Sequence, residues 1–160
     1  MELSIVPVGH VKKELLSSLR QHLESLGFAV VIAEEVPIPE TAYNPKRNQY
    51  QAYPFIEAVI TKGYHLLVTD VDLYTPQLNF IFGLGPGPNA IISLARLKGD
   101  LLVERMIKEA VHELGHVFSL RHCDNPECVM HFSNTLSDTD YKHKEFCRKC
   151  QNIWESHVHL

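Results

Sequence analysis

The sequence lacks the features that would direct it to a membrane or to nucleic acid. No apolar run in its 160 residues approaches the roughly 18 residues that a membrane-spanning helix needs. Acidic residues outnumber basic ones, 19 to 15, so the chain has no excess of positive charge with which to bind a phosphate backbone. Internal repeats and low-complexity segments are missing as well. We therefore expect neither a membrane nor a nucleic acid as the partner of this protein.

A secretory signal is also missing. The chain begins MELSI and has neither the basic region nor the long apolar core of such a signal, which predicts a cytoplasmic protein. Its hydrophobic content of 45% and charged content of 21% are ordinary for a globular protein. A chain of this length buries roughly 70% of its unfolded surface around one core. We expect residues 1–160 to form one domain and the protein to be a monomer.

The segment 112–116 reads HELGH and has the pattern H-E-x-x-H. Histidines four residues apart project from the same face of a helix, so His112 and His116 can bind one metal ion. Glu113 can reach a metal-bound water without occupying a coordination position. His122 supplies a third ligand and leaves the fourth position open, as a catalytic zinc requires.

The residues before this motif have the periodicity of a helix that faces a core. Asp100 is a suitable N-cap for that helix. Apolar residues follow at helical spacing, namely Val103, Ile107, Ala110, Leu114 and Val117. Because the chain has ten histidines, a chance match to the motif is the alternative. The third histidine and the helical context favour a metal site.

All four cysteines lie in the last quarter of the chain as two close pairs. Cys123 and Cys128 are separated by four residues, and Cys147 and Cys150 form a C-x-x-C. This spacing indicates a closed, structural zinc site with four thiolate ligands. Disulfides are the main alternative and a redox-active C-x-x-C is the other, but an intracellular chain favours metal. We therefore expect two zinc ions per chain, one catalytic and one structural.

The chain resembles the archaemetzincins, a family of zinc metallopeptidases in the metzincin clan, because its histidine and cysteine patterns follow each other as they do in that family. That family joins H-E-x-x-H-x-x-G-x-x-H directly to a cysteine, followed by C-x4-C-x-M and a later C-x-x-C. The corresponding residues here are His112 to His122, Cys123, Cys128, Met130, Cys147 and Cys150. The resemblance implies an α/β fold with a twisted, mostly parallel sheet, one antiparallel edge strand, an active-site helix and a small helical C-terminal part tied by structural zinc.

Two positions depart from what is found in this clan. Ser119 replaces the glycine between the second and third histidines, and a serine with positive φ costs roughly 1–2 kcal/mol. We keep His122 as a ligand, with Asp124 as the alternative. Met130 matches the methionine of the Met-turn beneath the metal. Phe132 stands where some metzincins have a tyrosine, so no phenol can assist the reaction from that position.

Strand and helix signals alternate in the N-terminal part, which favours a largely parallel sheet. Predicted strands cover residues 3–8, 28–33, 65–70, 79–84 and 90–97. Predicted helices end at Gly27 and Gly63, the second starting near Pro54 or as early as Gln49. A further helix is expected from about Asp138 through Trp154. Residues 1–122 should form an α/β part, and residues 123–160 a small zinc-stabilised C-terminal part.

The resemblance places the antiparallel edge strand at residues 80–84. An edge strand has free backbone groups that bind an extended peptide by strand addition. Phe82, Gly83 and Leu84 are therefore candidates for substrate binding, and Phe132 is a further candidate by resemblance. The alternative is that Phe82 only packs in the core while the glycines only make a turn.

These residues predict zinc-dependent hydrolysis of peptide bonds, with a peptide or protein as the substrate. Glu113 is expected to take a proton from the attacking water and to deliver it to the leaving amine. The rival interpretation is a zinc-stabilised peptide-binding module with little or no turnover. No acidic group can be assigned to a substrate amine, so aminopeptidase and endopeptidase activity both stay open.

Overall fold

Two sheets form the framework of the protein, which is described by a computed structural model over residues 1–158. Within these residues the strands are β1 (Glu2–Val8), β2 (Ala29–Ile32), β3 (Tyr43–Asn44), β4 (Gln49–Gln51), β5 (Tyr64–Thr69), β6 (Leu73–Thr75), β7 (Leu78–Ile81), β8 (Gly83–Leu84) and β9 (Asn89–Ser93). The main sheet has the order β2-β1-β5-β9-β8. Its first four strands are parallel, and β8 pairs antiparallel with β9. The predicted α/β fold with one antiparallel edge strand is confirmed.

The helices pack mainly around this sheet. They are α1 (Lys13–Ser25), α2 (Tyr53–Glu57), α3 (Leu102–Val117), α4 (Leu136–Tyr141) and α5 (Arg148–His157). None of them, within the part of the chain that is described, is both long and apolar enough to cross a membrane. The predicted active-site helix is α3, which begins after Leu101 and has no side-chain cap from Asp100. Val103 of the predicted apolar stripe is exposed on its first turn.

The main sheet has a separate hydrophobic core on each face, because successive strand residues point to opposite sides. Leu3 and Ile5 of β1 belong to the larger core, which contains α1 and α3. Val6 and Val8 of the same strand belong to a second core, which contains Phe55 of α2 and residues of the smaller sheet. The larger core fixes α3 against the sheet and so determines where its histidines lie.

The smaller sheet has the order β3-β4-β6-β7 and was not predicted. Gln49, considered as a start for the second helix, lies instead in β4, where its amide donates to Asp72 Oδ2 and to the Asn79 carbonyl. Helix α2 ends at Glu57, short of the predicted Gly63. Asn89 donates from its side chain to the carbonyls of Ile56 and Val59, so a distant residue binds the end of this helix.

The predicted strand 79–84 is divided between the two sheets. Residues up to Ile81 belong to β7 of the smaller sheet, whereas Gly83 and Leu84 form β8 of the main sheet. Phe82 lies between the strands and is buried in the larger core. The prediction of an edge strand over residues 80–84 is therefore correct only for Gly83–Leu84. The chain leaves one sheet for the other at Phe82 because its ring packs in the core.

The C-terminal part contains two short helices where one long helix was predicted. Thr135 caps the start of helix α4, because its hydroxyl accepts from the Asp138 N–H while the Asp138 carboxylate accepts from the Thr135 N–H. It ends before Lys142, which has extended backbone. The next residues bond to the cysteine turn instead, since His143 N–H donates to the Glu127 carbonyl. The last two residues of the predicted 123–160 part lie outside the described range.

Candidate active site

The end of α3 brings three histidines together. His112 and His116 lie one turn apart on the helix, as predicted. The chain then reverses at Ser119, which has the left-handed φ of 75° that the family glycine would adopt without strain. The Leu120 N–H closes this reversal by donating to the Gly115 carbonyl at 2.9 Å. This turn places the His122 side chain next to those of His112 and His116.

The three imidazoles are spaced like the ligands of one metal ion. One ring nitrogen from each of His112, His116 and His122 lies within 4.8 Å of the others. The Nε2 atoms of His112 and His116 are 3.2 Å apart. Tetrahedral zinc with Zn–N bonds of 2.0–2.1 Å separates two ligand nitrogens by about 3.3–3.4 Å. The side chains present thus fit zinc, and Asp124 is not a member of this group.

Hydrogen bonds orient two of the rings. His112 Nδ1 lies 2.8 Å from the Val129 carbonyl, and His116 Nδ1 lies 2.9 Å from the Leu120 carbonyl. A carbonyl can only accept, so each Nδ1 carries the proton and donates it. In the neutral ring the lone pair is then on Nε2, the atom that faces the other histidines. The backbone thus selects the tautomer that can bind a metal.

The electrostatic surroundings favour the neutral, metal-binding form of the histidines. Burial lowers the pKa of His112 well below its usual range, and the nearby Lys142 cation lowers it further. Burial also lowers the pKa of His116 and of His122. Because a histidine must be deprotonated to bind a metal, these shifts remove proton competition near neutral pH.

Glu113 lies within the same site but is placed differently from the histidines. Its Oε1 is 3.8 Å from His112 Nε2, and its Oε2 is buried without a hydrogen-bond partner among the described residues. Burial raises the pKa of this carboxyl well above its usual range, and the Glu109 carboxylate raises it further. A buried polar atom without a partner is costly, which indicates that Oε2 interacts with a bound molecule.

A cavity of about 630 Å³ opens over these residues. Each candidate for substrate binding lines this cavity, namely Phe82, Gly83, Leu84 and Phe132. The cavity is also lined by residues that the sequence interpretation did not identify, namely Tyr53, Thr75, Gln77, Leu78 and Glu109. Of these, Glu109 had a detectable signal, because it precedes Glu113 by four residues and so shares its helix face. Whether these residues contact substrate stays a prediction.

Glycines allow the backbone to approach the site closely. A Cβ on Gly83 would lie 2.7 Å from Glu113 Cγ, and one on Gly85 would overlap the Glu113 backbone. Gly115 is restricted in the same way, since a Cβ there would overlap Met130 Sδ. Met130 is fully buried against α3, as the Met-turn resemblance implies. These glycines bring the edge strand β8 against Glu113 and Met130 beneath the histidines.

The four cysteines form a second group immediately after His122. Their sulfurs lie within 4.8 Å of one another and all four thiols are free. Cys123 Sγ and Cys147 Sγ are 3.8 Å apart, far beyond the roughly 2.05 Å of a disulfide bond. Zinc with Zn–S bonds of about 2.3 Å separates its sulfurs by about 3.8 Å. The arrangement therefore fits a tetrahedral four-thiolate zinc.

Backbone groups surround these sulfurs. The N–H groups of Cys147 and Met130 point at Cys128 Sγ, at 3.3 Å and 3.5 Å. The backbone N–H of Cys150 lowers the pKa of the Cys147 thiol to about 7, whereas burial raises the pKa of Cys128 and of Cys150. The cysteine and histidine groups are also joined, since Cys123 N–H donates to the Met130 carbonyl.

Comparisons with known proteins agree with this geometry. The sequence model of Peptidase family M54 matches residues 55–155. An archaemetzincin of Pyrococcus furiosus is 46% identical over 169 residues, covering 91% of this chain and 88% of the relative. An archaemetzincin of Natronomonas pharaonis is 38% identical over 172 residues, covering 94% and 98%.

Solved structures give the same result. The crystal structure of an archaemetzincin from Archaeoglobus fulgidus, complexed with malonate, has a TM-score of 0.90 at 34% identity and covers 96% of this chain and 99% of its own. That of an archaemetzincin from Methanopyrus kandleri has a TM-score of 0.90 at 35% identity, covering 98% and 94%. The chain therefore belongs to Peptidase family M54, the archaemetzincins, and is a zinc metallopeptidase.

Proposed function

We propose that this chain hydrolyses peptide bonds at the cavity above α3, with His112, His116 and His122 as zinc ligands and Glu113 as the general base. The observation that carries the proposal is the position of Glu113. Its side chain lines a cavity whose wall holds three converging imidazoles, and its buried Oε2 has no hydrogen-bond partner among the described residues. Zinc bound there would polarise the scissile carbonyl and lower the pKa of a coordinated water to around 7.

The protein's own groups perform the proton transfers. Glu113 accepts a proton from the water that attacks the carbonyl carbon. When the carbon–nitrogen bond breaks, the same carboxyl group delivers this proton to the departing amine. The Val129 and Leu120 carbonyls accept the Nδ1 protons of His112 and His116, which leaves the Nε2 lone pair of each ring for zinc.

Strand β8 is the proposed binding edge for the substrate backbone. It is the outermost strand of the main sheet and pairs only with β9 among the described strands. An extended peptide that pairs with Gly83 and Leu84 would lie next to Glu113, because the Gly83 backbone approaches that side chain closely. Phe82 and Phe132, which line the same cavity, are the proposed side-chain contacts.

A second zinc is proposed at Cys123, Cys128, Cys147 and Cys150. Four thiolates complete a tetrahedral shell and leave no position for a substrate, so this ion would be structural. It would connect the turn after His122 to the start of α5. Met130, two residues beyond Cys128, is proposed to support the histidines from below, since it is packed against Gly115.

A peptide library tests the proposal directly. Zinc-loaded wild-type protein should cleave members of the library. Glu113→Ala should retain zinc but lose about 10²–10⁴-fold in kcat/KM, the usual contribution of a positioned acid–base group. Glu104→Ala is the matched control, because Glu104 lies on the first turn of the same helix with its side chain 54% exposed.

Two results would contradict this proposal. Undiminished hydrolysis by Glu113→Ala would show that a different base or a contaminating protease acts. Binding of library peptides without cleavage by zinc-loaded wild type would favour the peptide-binding module instead.

A further inference from the structure

A buried ion pair lies beside the active site and has no role in the proton transfers described above. The Nζ atom of Lys142 is 3.5 Å from Glu109 Oε1, and the two side chains are 0% and 4% exposed. Lysine and glutamate are almost never buried to this extent unless they are paired. The desolvation of two charges makes such a pair a poor source of net stability. A role in the arrangement of the site is the better explanation for its position.

Lys142 also holds one wall of the cavity. Its Nζ donates to the His131 carbonyl at 3.1 Å. His131 directly follows the buried Met130 and directly precedes Phe132 and Ser133, which line the cavity. The lysine therefore fixes the backbone from which these two side chains extend.

Glu109 is the second group that Lys142 contacts. It lies one helical turn before Glu113 on α3 and also lines the cavity. Its Oε1 accepts from the hydroxyl of Thr139, a fully buried residue of α4, at 3.1 Å. The carboxylate is thus held between Thr139 and Lys142, and both belong to the C-terminal part of the chain.

Further polar contacts dock α4 onto the same face of α3. The Arg105 guanidinium donates to both carboxylate oxygens of Asp140, at 2.8 Å and 2.9 Å. Lys108 Nζ donates to the carbonyls of Thr139 and Asp140. These contacts attach α4 to α3 without Lys142. The Lys142 ammonium group contacts the His131 carbonyl and the Glu109 carboxylate instead.

We propose that Lys142 is a positioning residue for the peptidase reaction. Its ammonium group holds the wall segment 131–133 and the Glu109 carboxylate at a fixed separation, and so sets the geometry in which a peptide binds beside Glu113. A lysine suits this task because its three N–H donors satisfy a carbonyl and a carboxylate together. The inference rests on the proposed function of the cavity.

The test compares three variants with the wild type. Lys142→Met keeps the unbranched apolar part of the side chain but removes its donors and its charge. Glu109→Gln combined with Lys142→Met also removes the carboxylate that the first change leaves unpaired, so most of the lost stability should return. Lys144→Met is the matched control, because Lys144 lies two residues away, 3.8 Å from Glu104, and is 35% exposed.

Two measurements are made on zinc-loaded protein, with the zinc content checked. Hydrogen–deuterium exchange of residues 130–134 should increase at least about tenfold in Lys142→Met and in the double variant, since the His131 carbonyl has lost its donor. For a peptide that the wild type cleaves, kcat/KM should fall about 10–100-fold in both, as expected for a misplaced substrate. Lys144→Met should match the wild type in both measurements.

Several results would overturn the inference. If exchange and kcat/KM return to wild-type values together with stability in the double variant, Lys142 acts only on the fold. An increase in exchange throughout the chain, or equal effects from Lys144→Met, would have the same meaning. If the wild type cleaves no peptide, the proposed function fails, whereas the exchange measurement still decides whether Lys142 fixes the cavity wall.

Discussion

The histidine group and the cysteine group are adjacent at His122 and Cys123, yet their surroundings differ. The histidines line a large cavity together with Glu113, whose buried Oε2 has no hydrogen-bond partner among the described residues. The cysteines are mostly buried, and backbone N–H groups point at their sulfurs. The ligand shell differs as well, with three donors in one group and four in the other. The histidine group is open to a substrate and has three ligands, which suits a catalytic metal. The buried cysteine group has four ligands, which suits a structural metal.

Loss of one cysteine should have the largest effect on stability. Cys147→Ser should lower the free energy of unfolding by several kcal/mol, because the binding energy of a structural zinc contributes directly to folding. His112→Ala should cost only about 1–3 kcal/mol, mainly for the Val129 carbonyl that loses its donor. Denaturant unfolding of both variants measures the difference. A Cys147→Ser protein as stable as the wild type would rule out a structural role for the cysteine group.

Metal removal should distinguish the two groups by rate. Protein purified without added metal should contain close to two zinc ions by elemental analysis. A chelator should remove one ion much faster than the other, because a ligand can enter the open coordination position of the histidine site but not the closed thiolate shell. His112→Ala should lack the ion that is removed first. A folded wild type with one zinc and oxidised thiols would contradict the proposed four-thiolate site.

Packing beneath the histidines offers a smaller test. Gly115→Ala should lower stability by about 1–3 kcal/mol, because the new Cβ would overlap Met130 Sδ. The intrinsic preference of a helix acts in the opposite direction, since alanine is favoured over glycine there by about 0.5–1 kcal/mol. Denaturant unfolding therefore gives the sign of the effect. An increase in stability would mean that Met130 can move away without cost.

The turn that leads from one group to the other should give the smallest effect. Ser119→Gly should relieve about 1–2 kcal/mol of left-handed strain. The greater freedom of glycine in the unfolded chain offsets roughly 0.4–1 kcal/mol of this gain. We expect a net stabilisation of about 1 kcal/mol or less, seen as a small rise in melting temperature. Ser119→Ala keeps the Cβ and should bring no gain, so equal stabilisation by both changes would exclude backbone strain as the cause.

The short-range patterns of the sequence were sufficient to identify the two groups of candidate ligands. His112 and His116 share a face because the helix repeats every 3.6 residues, and this relation needs no tertiary information. The C-x-x-C spacing of Cys147 and Cys150 likewise indicates a metal-binding pair without tertiary information. The family resemblance added the sheet with its antiparallel edge, which the structure and the comparisons confirm.

Other features depended on contacts between residues far apart in the chain. Only the tertiary structure divided the predicted strand 79–84 between two sheets, since the burial of Phe82 decides where the chain turns. The end of α2 likewise depends on Asn89, more than 30 residues away. The C-terminal helix was split because the residues after α4 bond to the cysteine turn.

The same distinction applies within the active site. The sequence by itself determined which residues can bind metal, because ligand chemistry and helical spacing are local properties. Only the tertiary structure decided that Glu109 and Lys142 are buried together beside the cavity, because residues 33 positions apart meet only when the chain folds. Burial is set by what packs around a side chain, and here α4 together with Lys142 docks on Glu109 of α3, which lies about 30 residues earlier in the chain.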